Sequence, residues 1–67
     1  MPGDFRSLPV PEGLAGMRVD AALAKLFGIS RSVAAEMIAQ EQVLIDATLP
    51  QKSDRVIPGA LIEATLP

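Results

Sequence analysis

Apolar residues recur at helical spacing in the first half of the chain and change to a period of two after residue 42. Between Arg18 and about Phe27 they fall at i, i+3, i+4, i+7 and i+8, which places them on one face of a helix. That face consists of Val19, Ala22, Leu23, Leu26 and Phe27. Gly28 follows directly and suits the left-handed position that ends a helix. The pattern therefore predicts a first helix from Arg18 to about Phe27.

A second helical segment begins after a short connector. Ser30 has the hydroxyl that favours an N-cap, and the helical pattern runs from there over residues 31–40. Its inward face is predicted to consist of Ala34, Met37 and Ile38. Two helices joined by a turn of about two or three residues form a helical hairpin.

The period of two predicts short strands after the hairpin. Residues 43–45 are apolar and β-branched at both ends, and 46–48 have turn composition. A short extended piece over 49–55 leads to Val56-Ile57, and a Pro-Gly turn follows at 58–59. Residues 60–65 are predicted as the last strand.

The turn after Ile45 contains an unfavourable residue. In a tight two-residue hairpin, Ala47 would need a positive φ, where glycine or asparagine is preferred. Alanine in that conformation costs roughly 1 kcal/mol or forces a different turn.

Residues 1–16 hold three of the six prolines and three of the five glycines, so they are poor helix material. Phe5, Leu8 and Val10 suit a short edge strand, where proline is tolerated. The predicted fold class is α+β, a two-helix hairpin packed against a small sheet of about three to five short strands. We expect an N-terminal extended segment and edge strand over 1–16 and a domain over 17–67, with roughly 5–66 folding as one unit.

Composition excludes several kinds of site. The 67 residues include no Cys, His, Trp or Tyr, which removes most metal ligands, imidazole bases and thiol nucleophiles. With two aromatic residues, Phe5 and Phe27, the chain cannot form the aromatic base-stacking platform of many single-strand binders. A core of this size rarely supplies more than roughly 3–5 kcal/mol. We therefore expect neither a metal nor a cofactor, and no independent enzyme.

Charge and hydropathy bear on location and partners. The net charge is −2, from six basic and eight acidic residues, whereas nucleic-acid binders usually have a basic excess. The apolar stretch 56–62 is far shorter than the roughly 20 residues of a bilayer span. The N-terminus lacks the basic start and apolar run of a secretory signal. A cytoplasmic protein without a membrane partner is expected.

Five basic residues could nevertheless form one surface. Arg18 begins the first helix, and Lys25 lies seven residues further on, on nearly the same face. Arg31 begins the second helix, where backbone N–H groups can also bind phosphate. Lys52 and Arg55 lie in the loop between strands. If the hairpin and this loop lie side by side, these residues form a cationic surface for a phosphate backbone.

The same segment also supports a purely structural interpretation. Residues 18–55 carry five acidic residues that balance the five basic ones, as on many solvated helical faces. Ser30 is explained by helix capping, and Asp20 by its favourable position at the positive end of a helix dipole, with a bridge to a neighbouring arginine as a second role. The two interpretations differ in one respect: a cationic surface requires the basic and acidic residues to lie on different faces of the domain.

The order of short motifs along the chain resembles a known family. In sequence these are Arg18-Val19-Asp20, Ser30-Arg31, Val43-Leu44-Ile45-Asp46, Lys52-Ser53-Asp54-Arg55 and Pro58-Gly59. They resemble the αL RNA-binding domain named after ribosomal protein S-four, over roughly residues 6–66. Asp46-Ala47 stands where that family often has Asn-Gly.

The stretch before Arg18 is similar to the start of large-subunit ribosomal RNA pseudouridine synthases, in particular Glu12-Gly13-Leu14-Ala15-Gly16-Met17. In those enzymes the small domain precedes a much larger catalytic domain. Their catalytic aspartate, with its His-Arg-Leu-Asp surroundings, is absent here. The resemblance thus implies a non-catalytic module whose parent is a pseudouridine synthase, an isomerase, with the catalytic domain in cis.

The resemblance also implies a partner and a set of contacts. The partner is structured RNA, in particular ribosomal RNA, which the module positions for the attached synthase domain by shape and phosphate contact. The implied RNA-binding residues are Arg18, Ser30, Arg31, Lys52 and Arg55. The alternative is a protein-interaction or spacer domain of the same fold with negligible RNA affinity.

Overall fold

A computed structural model describes residues 3–67, which form two helices and a three-stranded sheet. The elements are β1 (Phe5–Pro9), α1 (Val19–Phe27), α2 (Arg31–Ala39), β2 (Val43–Ile45) and β3 (Leu61–Thr65). A 3-10 turn at Glu12–Leu14 joins β1 to α1. The α+β class predicted from the sequence is confirmed. None of the helices in residues 3–67 has the length and apolar character needed to cross a membrane.

The sheet joins the two ends of the described chain. Its strand order is β1-β3-β2, and both pairs are antiparallel. Ile62 at the centre faces Leu8 of β1 on one side and Ile45 of β2 on the other. β1 lies at an edge, where Pro9 removes no central hydrogen bond. The predicted edge strand is present, although the prediction for residues 1–16 begins with Met1 and Pro2, which lie outside the described residues.

The core lies between the helical hairpin and one face of the sheet. The apolar spacing of α1 is confirmed: Val19, Ala22 and Leu23 are buried, and Leu26 and Phe27 are partly buried against the core. The predicted inward face of α2 is buried too. The remaining core residues come from the sheet and its connections: Val10, Leu14, Val43, Val56, Ile62 and Ala64.

Two residues between the helices set where they end and begin. Gly28 has a φ of 66°, the left-handed conformation that glycine adopts without a side-chain clash. Ser30 caps α2, since its Oγ accepts a hydrogen bond from the backbone N–H of Val33 at 3.1 Å. Both predictions are confirmed. The helix itself ends at Ala39, one residue before the predicted limit.

The tight turn after β2 has the strained geometry expected of its sequence. Asp46 and Ala47 have φ values of 50° and 63°, and two hydrogen bonds join Ile45 and Thr48 across the turn at 2.9 and 3.0 Å. The Oδ1 of Asp46 also accepts a hydrogen bond from the backbone N–H of Leu61 at 2.9 Å. The side chain of Asp46 therefore ties the turn to the start of β3.

The piece predicted as extended over 49–55 is not a strand of the sheet. Residues 52–53 form a turn, in which the backbone N–H of Asp54 donates to the carbonyl of Gln51 at 3.0 Å. Arg55 makes an isolated bridge with Arg18, and the carbonyls of residues 52 and 54 accept hydrogen bonds from the start of α1. The last strand begins at Leu61 rather than at residue 60. Three strands form within residues 3–67, the lower end of the expected number.

Candidate functional site

A buried carboxylate lies at the start of α1. Asp20 is the only charged residue among those described that is buried, with 4% of its surface exposed. Its Oδ1 accepts a hydrogen bond from the backbone N–H of Ala21 at 2.8 Å. A charged group in such a position is costly unless it is paired.

Two arginines pair with this carboxylate. Arg18 makes a bidentate contact, from Nε to Oδ1 at 3.2 Å and from Nη2 to Oδ2 at 3.1 Å. Arg31, the first residue of α2, places Nη2 3.5 Å from Oδ1 of Asp20. We call these three residues the Arg-Asp-Arg cluster; it joins the starts of the two helices and keeps one unit of positive charge.

The cluster controls the ionisation of Asp20. Burial by itself raises the pKa of this carboxyl group, because it disfavours the charged form. The hydrogen bonds from Arg18 and from the Ala21 backbone, and the positive charges of Arg18 and Arg31, outweigh burial and hold the pKa below its usual 3.8. Asp20 is therefore a carboxylate at neutral pH.

A loop caps the start of α1 in place of a side chain. The backbone N–H of Val19 donates to the carbonyl of Asp54 at 2.7 Å, and that of Asp20 donates to the carbonyl of Lys52 at 3.4 Å. These are N–H groups that a helix start leaves without partners of its own. We call residues 52–54 the capping loop. It brings Lys52 to the same end of α1 as Arg18.

Arg55 also lies at this end of the molecule. Its backbone forms the bridge with Arg18, and its Nη1 donates to the carbonyl of Gly16 at 3.1 Å. Arg55 thus holds the chain that enters α1, while its side chain remains exposed. Lys52 is exposed and makes no ion pair with any residue in 3–67.

Of the five basic residues expected to share one surface, four gather at the start of α1. These are Arg18, Arg31, Lys52 and Arg55. Lys25 does not join them, because it lies in the last turn of α1, about 10 Å along the helix axis from Arg18.

The surface is cationic but not free of acidic groups. Asp20 lies within the cluster, and Asp54 in the capping loop accepts a hydrogen bond from the backbone N–H of Gln51 at 2.9 Å through Oδ2. The surface therefore has four basic side chains and two carboxylates, and each carboxylate already accepts a hydrogen bond. The other acidic residues belong to other segments: Asp4, Glu12, Glu36, Glu41, Asp46 and Glu63.

An open groove adjoins this surface between α2 and the segment before the capping loop. It encloses about 530 Å³, and its walls include Ala35 and Ile38 of α2, Pro50, and Lys52 at the rim. Glu36 also lines it, so the groove itself carries both signs of charge.

The sequence predicts Ser30 and the basic residues as site residues, but it explains Asp20 chiefly by its favourable position at the start of a helix. The signal for its pairing was the Arg-x-Asp spacing at residues 18–20. The second partner, Arg31, is separated from Asp20 by the rest of α1 and the turn between the helices, so only the folded hairpin brings the two together. Within residues 3–67, no group of acidic side chains is arranged to hold a metal ion.

The chain is similar to RNA-modifying enzymes over most of its length. It is 50% identical over 62 residues to uncharacterized RNA pseudouridine synthases of Mycobacterium bovis and Mycobacterium tuberculosis, covering 92% of this chain and 20% of each relative. It is 41% identical over 61 residues to the ribosomal large subunit pseudouridine synthase D of Xylella fastidiosa, covering 90% of this chain and 18% of that relative. No family model matches the chain. The chain therefore spans about a fifth of the length of the curated relatives it matches, and these homologues are RNA pseudouridine synthases.

Proposed function

We propose that residues 5–66 form an RNA-binding module that helps to position structured ribosomal RNA for a pseudouridine synthase domain in the same polypeptide. In this proposal, the isomerase activity belongs to that synthase domain rather than to the module. The proposed location is the cytoplasm. The observation that supports this proposal most directly is that Arg18 and Arg31, from two helices, lie with Lys52 of the capping loop at the same helix start.

The relatives support this proposal in two ways. Their names describe enzymes that act on RNA, and the matched part is about a fifth of their length. The resemblance to the αL RNA-binding domain supports the assignment of RNA binding to this module. The proposed contacts are Arg18, Ser30, Arg31, Lys52 and Arg55.

Phosphate recognition follows from the chemistry of the side chains. A guanidinium group presents five N–H donors in a planar fork that matches a phosphate, and lysine adds a compact charge. Such contacts orient a protein on RNA by the shape of its backbone rather than by its bases. Four cations give few phosphate contacts, so binding by the module alone should be weak. It should weaken further as salt rises, because each phosphate contact releases counterions.

A titration tests the proposal directly. A structured ribosomal RNA fragment carries the fluorescent label, because the protein has no Trp, and affinity is measured between about 50 and 200 mM salt. We expect Arg31→Ala to weaken binding several-fold and to reduce the slope of log K against log salt by about one. The matched control is Arg6→Ala, since Arg6 is an exposed arginine on β1 whose one ion pair within 3–67 is with Asp4. It should leave affinity nearly unchanged.

The outcome that contradicts the proposal is equally specific. A wild-type chain that is folded by circular dichroism and does not bind this RNA at low salt is not an autonomous RNA-binding module. Equal loss of affinity in Arg6→Ala and Arg31→Ala would show that only overall charge matters and would remove the proposed site.

A protein-interaction or spacer role is the second candidate, and one feature favours it. The sheet face away from the helices carries Phe5 and Leu61, which are 62% and 41% exposed. Strand register puts Phe5 opposite Thr65 and Leu61 opposite Pro9, so these side chains share that face. A folded chain without RNA affinity would favour this second function.

A further inference from the structure

We propose that Asp20 is a positioning residue for phosphate binding, which holds the guanidinium groups of Arg18 and Arg31 side by side so that they act as one phosphate site. This inference rests on the proposed RNA-binding function. It assigns a role in RNA affinity to an acidic residue, whose own charge would oppose that affinity.

Burial distinguishes the carboxylate from the arginines that it holds. The side chain of Asp20 is 6% exposed, whereas those of Arg18 and Arg31 are 38% and 58% exposed. RNA could therefore reach the two guanidinium groups but has little access to the carboxylate between them.

Donor counting shows that pairing leaves the arginines able to bind. Arg18 directs Nε and Nη2 at Asp20, which uses two of its five N–H groups. Arg31 approaches the carboxylate through Nη2 alone. At least three N–H groups on each guanidinium remain for phosphate oxygens, and the two groups share a single carboxylate.

Holding these side chains reduces the entropy lost on binding. A long side chain loses rotamer freedom when it is fixed on a ligand, and restricting it beforehand increases affinity. Arg18, with its bidentate contact to a buried partner, is already restricted. Arg6 offers the contrast, because its partner Asp4 has a side chain that is 76% exposed and the two are joined at 3.4 Å.

Charge and positioning make opposite predictions for one substitution. Asp20→Asn keeps the size of the side chain and removes a negative charge beside the phosphate site. Electrostatics alone predicts that the variant binds RNA more tightly. Positioning predicts weaker binding, because an amide holds two guanidinium groups less firmly than a carboxylate does.

The experiment measures binding of the labelled ribosomal RNA fragment by this chain and by Asp20→Asn as salt is varied. We expect the variant to bind about 3- to 10-fold more weakly, with a salt slope smaller by up to about one. The charge-matched control is Glu36→Gln, an exposed position on α2 that makes no ion pair within residues 3–67. It should bind as well as the wild type or more tightly. Equal or tighter binding by a folded Asp20→Asn overturns the inference while the proposed function stands.

A second substitution covers the case in which Asp20→Asn does not fold. Arg18→Lys keeps the charge but loses the bidentate fork. We expect it to bind RNA at least about 3-fold more weakly at unchanged net charge, while Arg6→Lys stays at the wild-type affinity. Wild-type affinity in Arg18→Lys would contradict positioning. Absence of binding by the wild-type chain would remove the proposed function and this inference with it, which separates the two failures.

Discussion

At the scale of single residues, three positions other than glycine have left-handed backbone within residues 3–67: Glu41 with a φ of 60°, Asp46 and Ala47. Ala47 has a φ of 63° in a turn closed by Ile45 and Thr48. Left-handed backbone costs a residue with a Cβ about 1–2 kcal/mol. Asp46, at 50°, is better suited, because aspartate tolerates this conformation and its side chain accepts a hydrogen bond from Leu61.

Ala47→Gly should therefore stabilise the protein. Relief of the strain exceeds the extra backbone entropy of glycine, roughly 0.5–1 kcal/mol, so we expect a gain of about 0.5–1 kcal/mol in the free energy of unfolding. Urea denaturation followed by circular dichroism measures it. The control is Ala35→Gly inside α2, which should cost about 1 kcal/mol. A less stable Ala47→Gly would show that the turn does not strain this residue.

At the scale of elements, the two helices begin in different ways. α2 is capped by its own neighbour Ser30, whereas α1 has no side-chain cap and is capped by carbonyls of the loop that carries Lys52. The first arrangement is local and readable in the sequence. The second ties a helix to a loop more than 30 residues further on and so places a proposed RNA contact.

Ser30→Ala should lower stability by about 1 kcal/mol, because the N–H of Val33 loses its acceptor. Ser32→Ala is the matched control: Ser32 is exposed in the first turn of the same helix, and its hydroxyl makes no hydrogen bond within residues 3–67. Thermal unfolding by circular dichroism compares the two. Equal effects would mean that the Ser30 cap contributes nothing specific.

At the scale of the whole molecule, the Arg-Asp-Arg cluster links the starts of the two helices, next to the capping loop. The pKa of Asp20 is lower in the folded protein than the usual 3.8, so folding favours its charged form. The stability from this linkage is fully present above the unfolded pKa and is lost as pH falls through the folded pKa.

The melting temperature of the wild type should accordingly stay level near neutral pH, and the contribution of Asp20 should be lost as pH drops below its usual pKa of 3.8. Asp20→Asn should be less stable near pH 7, by about 2 kcal/mol, since it loses charge-assisted hydrogen bonds. The gap between the two proteins should narrow in acid, where the wild-type carboxylate is protonated. A gap that stays constant from neutral to acid pH would contradict the pairing.

Much of the fold follows from local patterns. The spacing of Val19, Ala22 and Leu23 identifies the buried face of α1, and Gly28 and Ser30 mark the boundary between the helices. Ala47 is identifiable as strained because the length of the turn dictates its φ. Each of these depends on a few neighbouring residues, whose preferences do not need the rest of the chain.

Strand pairing and the candidate site were beyond the reach of local patterns. β1 pairs with β3 although nearly the whole chain separates them. The piece predicted as extended over 49–55 contains a turn and bonds to the start of α1 instead of the sheet. The conformational preferences of neighbouring residues do not determine which distant residue supplies a hydrogen bond.

The α+β class, the two helices with their inward faces and the set of basic residues follow from the order of amino acids alone. Which of these basic residues lie together depends on how the elements pack. Their packing brought Arg31 to Asp20, set Lys52 and Arg55 beside Arg18, and left Lys25 apart. The physical reason is that spacing on one helix is fixed by its geometry, whereas distances between elements are set by the packing of the core and by loop carbonyls that satisfy a distant helix start.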